Sequence, residues 1–496
     1  MPLGIKSVDI KSGRSGPTRA AEIRSQLKHP VIDADAHAIE FGPVYLDFLK
    51  QVAGPKIADR FLSMSQAGGW YGLTPQQRLD RRVARPSAWT MPTRNVVDRA
   101  TAMMPRLFRA RMDDFGLDFS IVYSTLALFV ARLDDEELRR ATCRALNTMF
   151  ADIYGEHADR MAPVAAIPAH TPQEAIEELD HAVNELGFKA VMINSNVRRP
   201  LAAVADQAPE FARYATWMDT LCMESAYDYD PLWARCVDLR VAVTAHSPSV
   251  GYGSRVVTNH YIHNHVGSFA AAGEAFAKAL VLGGVTQRFP TLNFAFLEGG
   301  VAWASELYAG LVGHCEKRNL TQIGNIDPQN LDLDALADLF AEYGQGLVDG
   351  RPDPNDPYFS RWPGGWHWPE DDTIAHELDN LGIKSGEDLR DLFEPRFYFG
   401  CEADDPLVAL GFDGRMNPFG ARLKAMFSSD IGHWDVPDMT RVLEEAYELV
   451  ERELLDDDDF HDFVFAHAAG LHGGMNPDFF KGTVVENEVA KLLTSS

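Results

Sequence analysis

A chain of 496 residues with 46% hydrophobic content is long enough to bury a large core. Its 46 Lys plus Arg stand against 72 Asp plus Glu, and the formal charge of -26 argues against a nucleic acid or an anionic membrane as partner. No apolar run approaches a membrane span, the first thirty residues lack the apolar core of a secretory signal, and five scattered cysteines show no CxxC spacing, so a soluble cytoplasmic protein with reduced thiols is expected.

In chain order, residues 1–29 are rich in Gly, Ser, Lys and Arg with little periodicity, and read as a flexible N-terminal arm or one that packs on another subunit. The first strand-like run, 31–36, opens into Asp35-x-His37. Side chains two apart on a strand share a face, so this carboxylate and imidazole converge as a metal-ligand pair. Asp33 is expected one layer deeper, orienting the site, and Glu40 is expected to bind an arginine of the following insertion. That insertion, 41–117, contains Trp70, Trp89 and many arginines, and reads as a cap over the site. Strand-like runs recur at 118–124, 163–168 and 188–194, the last ending in Asn194. The apolar positions of 172–186 fall at helical spacing between them.

The fifth run, 240–246, delivers His246. Arg255 follows as a candidate for holding a substrate carboxylate through a bidentate pair. Three histidines, His260, His263 and His265, lie within six residues; one is expected to reach a metal, His265 before His263. The sixth run, 292–298, ends in Glu298. A second insertion, 320–390, is acidic and carries Trp362-Pro-Gly-Gly-Trp-His-Trp-Pro369. The runs 396–401 and 425–430 lead to Glu402 and Asp430, with His433 as ligand or outer-shell partner just beyond. Eight alternating units imply an α/β fold, a (β/α)₈ TIM barrel over residues 30–496 whose site gathers at the carboxyl ends of the strands. One elaborated domain is expected, with a cap after strand 1 and an insertion between strands 6 and 7.

Asp33-x-Asp35-x-His37, Ala245-His246, Gly284-Val-Thr-Gln-Arg-Phe-Pro290, Phe296-Leu-Glu-Gly-Gly-Val301 and Ser428-Ser-Asp430-Ile-Gly-His433 together resemble the amidohydrolase superfamily, in its branch of aminocarboxymuconate semialdehyde and resorcylate-type decarboxylases. The resemblance implies that Asp35, His37, His246, Glu298 and Asp430 surround metal, with Glu402 added. The chain departs from the pattern by carrying Asp35 and Glu298 where many members have histidine, and Asn194 where binuclear hydrolases have a bridging lysine. Harder ligands favour iron or manganese over zinc. This variant resembles a small subgroup of dinuclear nonheme iron oxygenases, including 2-aminoisobutyrate hydroxylase. That implies an Fe/Fe or Fe/Mn pair hydroxylating a small carboxylate or amino acid, with O₂ and a reductase and ferredoxin. The alternative is a hydrolase or nonoxidative decarboxylase with one Zn or Mn, in which Asp430 or His246 acts as acid or base. A third reading is a noncatalytic barrel subunit. Oligomerisation, including with a related barrel subunit, is expected.

Overall fold

The computed structural model describes residues 16–66, 70–86, 95–212, 214–248, 253–318, 332–347 and 377–495. Among them are ten strands: β1 (Ile32–Ala38), β2 (Phe119–Ser124), β3 (Met161–Ala166), β4 (Ala190–Ile193), β5 (Val197–Pro200), β6 (Thr216–Asp219), β7 (Val243–Ala245), β8 (Phe294–Phe296), β9 (Phe397–Glu402) and β10 (Lys424–Ser428). Eight of them form one parallel sheet in the order β1-β2-β3-β4-β7-β8-β9-β10, while β5 and β6 pair as an antiparallel ribbon. The sheet curls until its ends meet: His37 N donates to Ile431 O (2.7 Å) and Asp430 N donates to Asp35 O (3.1 Å). The result is the expected (β/α)₈ barrel, with every one of the eight sequence runs contributing a strand. Short apolar runs suffice because parallel strands in a barrel are covered on both faces; β1 and β2 are buried along their whole length.

Helices form where the sequence supplies an apolar stripe and a cap. Asp135 accepts from Leu138 N ahead of Glu136–Tyr154, and Thr171 accepts from Glu174 N ahead of Pro172–Asp180. The helix Ser268–Leu282 buries Ala272, Phe276 and Leu280 against the barrel layer, Phe276 stacking edge-on with Phe294 and Phe296. No helix among the described residues is long and apolar enough to cross a membrane.

Three expectations change. The arm does not run to residue 29: Arg19–Gln26 is a helix, capped by Thr18, that buries Ala20 and Ile23 and pairs Arg24 with Asp118. The period of its apolar residues was hidden by the flanking Gly, Ser and basic residues. Nor is 41–117 wholly a cap. Its helix Gly42–Ala53 buries Tyr45 and Leu49, and Tyr45 Oη donates to Thr142 O on the flanking helix Glu136–Tyr154 (3.3 Å). Residues 70–86 do reach the loop after β7, through Trp70 Nε1 to Thr258 O (2.5 Å) and Arg85 Nη1 to Asn259 O (3.3 Å). Finally, the chain divides into two compact units, Met1–Leu307 with Leu392–Ser496, and Tyr308–Asp391. The second unit includes the helix Leu333–Tyr343, capped by Asp332. Trp89 and the segment Trp362–Pro369 lie outside the described residues.

Candidate metal centre

Four strand ends, those of β1, β7, β8 and β10, bring acids and imidazoles together, and two groups of donors result. Asp35, His37 and His246 form one; His37, Glu298, Asp430 and His433 form the other, with ligand atoms of each group within 4.8 Å of one another. The two meet at His37. Its Nε2 lies 3.0 Å from His246 Nε2, 3.4 Å from Asp35 Oδ1 and 3.6 Å from Asp430 Oδ1. His246 Nε2 is in turn 3.6 Å from Asp35 Oδ2 and 3.4 Å from Glu298 Oε2. Two imidazole nitrogens turned on one another amid carboxylates suit a shared cation better than each other.

The polar accounting agrees. Both carboxylate oxygens of Asp35 and Glu298 Oε2 are buried without a hydrogen-bond donor, and Asp430 Oδ1 has only His433 Nδ1 beside it. Buried acceptors are normally satisfied, and buried charges are paired or bind metal. Burial pushes the Asp35 carboxyl up. Burial pushes both Glu298 and Asp430 well above the usual range, with the charge of Asp430 adding to the first and that of Asp435 to the second. Burial holds the His37 imidazolium well below 6.5 and brings His246 to about 3, so both imidazoles are neutral and ready to donate a lone pair. A divalent ion would reverse the carboxyl shifts by supplying the missing charge. The residues therefore fit such an ion, and Asp35, His37, His246, Glu298 and Asp430 could hold it.

Outer contacts orient this set. Asp33 accepts from Ser429 N (3.0 Å), Ser429 Oγ (2.5 Å) and Asp35 N (3.2 Å), tying β1 to the end of β10. His433 Nδ1 sits 2.6 Å from Asp430 Oδ1, and its ring stacks on His37 at 3.8 Å between centroids. Thr125 Oγ1 lies 3.4 Å from His37 Nδ1 and 3.3 Å from His433 Nε2. Such contacts fix the tautomer and ring direction of a ligating histidine. Nothing in the sequence marks Thr125 beyond its place at the end of the second strand.

The remaining sequence candidates are arranged differently. Glu402 lies outside both donor groups; burial and the neighbouring Asp435, Asp404 and Asp405 push it up to about 7. His263 is exposed, with Nδ1 3.4 Å from Asn264 Oδ1, and exposed His260 accepts from His263 N as a helix cap. His265 stacks on Tyr261 and lies 3.8 Å from Asp435 Oδ2. Arg255 is exposed on the turn Gly253–Arg255, and forms no ion pair with a donor among the described residues. Glu40 does not take an arginine of the insertion: it accepts from Ser124 Oγ and from Leu126 N (3.1 Å), because the chain after β2 folds directly over it. Asn194, buried just past the end of β4, keeps an unpartnered Oδ1.

Comparison with known proteins adds ancestry to this geometry. Gamma-resorcylate decarboxylases of Rhizobium sp. (strain MTP-10005) and Rhizobium radiobacter are each 24% identical to the chain over 184 residues, 37% of this chain and 51% of theirs. The chain thus spans about half the length of these curated relatives. Among solved structures, a dihydroxybenzoic acid decarboxylase from Polaromonas sp. JS666, with bound manganese and 2-nitroresorcinol, is 14% identical, with 90% of this chain and 97% of that one covered and a TM-score of 0.45. An amidohydrolase from Mycobacterium avium subsp. paratuberculosis K-10 is 17% identical, with 90% and 100% covered and a TM-score of 0.49. A family model described as amidohydrolase matches residues 32–325, from the first residue of β1 through β8 and over more than half of the 496 residues, and the chain belongs to that family.

Proposed function

We propose that the protein is a metal-dependent enzyme that decarboxylates a small carboxylic acid without oxidation. One observation carries this reading: Asp35, His37, His246, Glu298 and Asp430 converge with buried, unpartnered carboxylate oxygens around two facing imidazole nitrogens. The likeness to the gamma-resorcylate decarboxylases supports the reaction class. A bound divalent ion, manganese or zinc, would supply a Lewis acid for the substrate's oxygens. Asp35, His37, His246, Glu298 and Asp430 would hold that ion. His433 Nδ1 lies 2.6 Å from Asp430 Oδ1, and this pair is placed to pass a proton to the substrate carbon as its bond to the departing CO₂ breaks. The five cysteines are all free thiols, which accords with a reducing cytoplasmic setting.

A second reading, a dinuclear iron or iron–manganese oxygenase fed by O₂, a reductase and ferredoxin, is favoured by one specific feature: the donors fall into two groups that share His37. Protein expressed with iron and manganese and purified without chelators separates the two. One ion per chain and anaerobic CO₂ release from hydroxybenzoic acids support the decarboxylase. Two ions per chain, with O₂ uptake dependent on an electron donor, support the oxygenase. Protein that folds but binds no metal would overturn both and leave a noncatalytic subunit. Light scattering tests the oligomer, alone or with a related barrel subunit, in which we place the chain.

A further inference from the structure

Asn194 continues β4 by one residue beyond its pairing with β7. Val191, Met192 and Ile193 pair with Val243, Thr244 and Ala245, and His246 N then donates to Ile193 O (3.2 Å). Paired residues of parallel strands present their side chains to the same face of the sheet. Asn194 therefore shares the barrel-interior face with His246, whose ring reaches Asp35 and His37. The backbone here is locked by a serine pair: Ser195 N donates to Ser247 Oγ (2.7 Å), and Ser247 Oγ donates to Ser195 Oγ (3.1 Å). Asn194 is 2% exposed with Oδ1 unpartnered, and Asn196 is 2% exposed with neither amide atom partnered. Two buried amides with open hydrogen-bonding positions, two residues apart in sequence just past the strand end, run against the near-universal pairing of buried polar groups.

An uncharged amide among carboxylates is a poor competitor for a divalent ion. Its open oxygen instead suits a hydrogen-bond donor brought in with the substrate. We propose that Asn194 is a specificity residue: Oδ1 accepts from an O–H or N–H adjacent to the substrate carboxylate, so that the substrate class is a hydroxy- or amino-carboxylic acid, with Asn196 completing the polar wall. This rests on the reading above that the metal centre receives a carboxylic acid. A site built to bond a hydroxyl discriminates strongly against the analogue lacking it, because its own buried group is then left unpaired.

The test is calorimetric binding to manganese-loaded full-length protein, which needs no turnover. The probes are salicylate against benzoate and 2-methoxybenzoate, and lactate against propionate. Wild type is expected to bind salicylate or lactate roughly 10- to 100-fold tighter than the partners without a hydroxyl donor. A hydroxyl can also chelate the metal, so the deciding comparison is Asn194→Leu, with Asn194→Ala as the second variant should the first not fold. Either is expected to abolish most of that preference while leaving manganese content and benzoate or propionate affinity unchanged. A preference that survives both substitutions, or is absent in wild type that binds these acids, overturns the role of Asn194 and leaves the decarboxylase reading standing. Loss of manganese in Asn194→Ala would make Asn194 a metal or structural residue, and also overturns it. If no carboxylic acid binds the manganese-loaded wild type, the underlying reading fails and takes this one with it.

Discussion

Asp33 belongs to neither donor group, yet it governs where two donors stand. It accepts three hydrogen bonds, from Ser429 N, Ser429 Oγ and Asp35 N, and so fixes the end of β10 against β1. Hydrogen bonds of that kind lower a carboxyl's pKa, but complete burial outweighs them and pushes Asp33 up to about 7. The folded value lies above the unfolded value of 3.8, so the native state holds a proton that the unfolded state has lost between those limits. Stability contributed by Asp33 is thus full at acid pH and falls as pH rises through that window, by up to about 1.4 kcal/mol per unit, levelling above pH 7. Asp33→Asn keeps an acceptor and removes the titration. Denaturant unfolding of the metal-free proteins at pH 5, 6 and 7 should show wild type losing ground to the variant as pH rises; a constant difference would mean that Asp33 ionises normally. The same residue shows what a sequence can reveal. Its role behind the site follows from its alternation with Asp35, whereas its partner Ser429 sits 396 positions away and has no local signature.

At the scale of elements, β8 and β10 end alike. Glu298 has φ 56° and Asp430 has φ 50°, left-handed conformations that a side chain rarely adopts, and each turns its carboxylate back over the barrel end. Such strain costs roughly 1–3 kcal/mol per residue and persists only where the surroundings enforce it. Glu298→Gly should therefore leave the metal-free protein as stable as wild type or about 1 kcal/mol more stable. Metal-dependent turnover should fall by about 100-fold or more, since losing even an outer-shell partner costs 10- to 100-fold. Lower stability together with retained turnover would rule out Glu298 as a strained donor. Gly432 is the opposite case. Its φ is +102°, and a Cβ there would lie 2.3 Å from His37 O. Gly432→Ala should cost about 3 kcal/mol, combining the conformational penalty with overpacking, and should lower the unfolding temperature and the metal content together. The barrel strands were legible because each is a short apolar run, and β1, β7, β8, β9 and β10 lead into an acid or imidazole. The histidines after β7 were not. Their spacing matched metal ligands, but the short helix Tyr261–His265 turns His263 to solvent and His265 to Tyr261 and Asp435. Which way a loop carries its side chains depends on what packs beneath it, and Trp70, Arg85 and Trp434 come from distant parts of the sequence.

For the molecule as a whole, the donors straddle the seam at which the barrel closes. Asp35 and His37 come from β1, Asp430 follows β10, and the seam hydrogen bonds run from His37 N to Ile431 O and from Asp430 N to Asp35 O. A cation bound by these side chains cross-links the first and last strands, and adds His246 and Glu298 from the neighbouring pair β7 and β8. Removing it should weaken the entire barrel, by about 4 kcal/mol when free metal had been at a thousand times its dissociation constant. The size of that effect should depend on pH. Without metal, burial keeps Asp35, Glu298 and Asp430 protonated above their unfolded values, so the stability these three groups contribute is present at acid pH and is lost as pH rises. The metal must displace those protons, and its affinity rises as they leave. Burial holds the His37 imidazolium well below its usual range and His246 at about 3, so neither has a proton for the metal to displace near neutral pH. The gap in unfolding temperature between manganese-loaded and chelator-treated protein should therefore widen from pH 5.5 to 7.5, measured in enough salt to screen the net charge of -26. A gap that stays constant would place the bound metal away from these carboxylates, and one that narrows would mean that its ligands are not the groups burial has protonated.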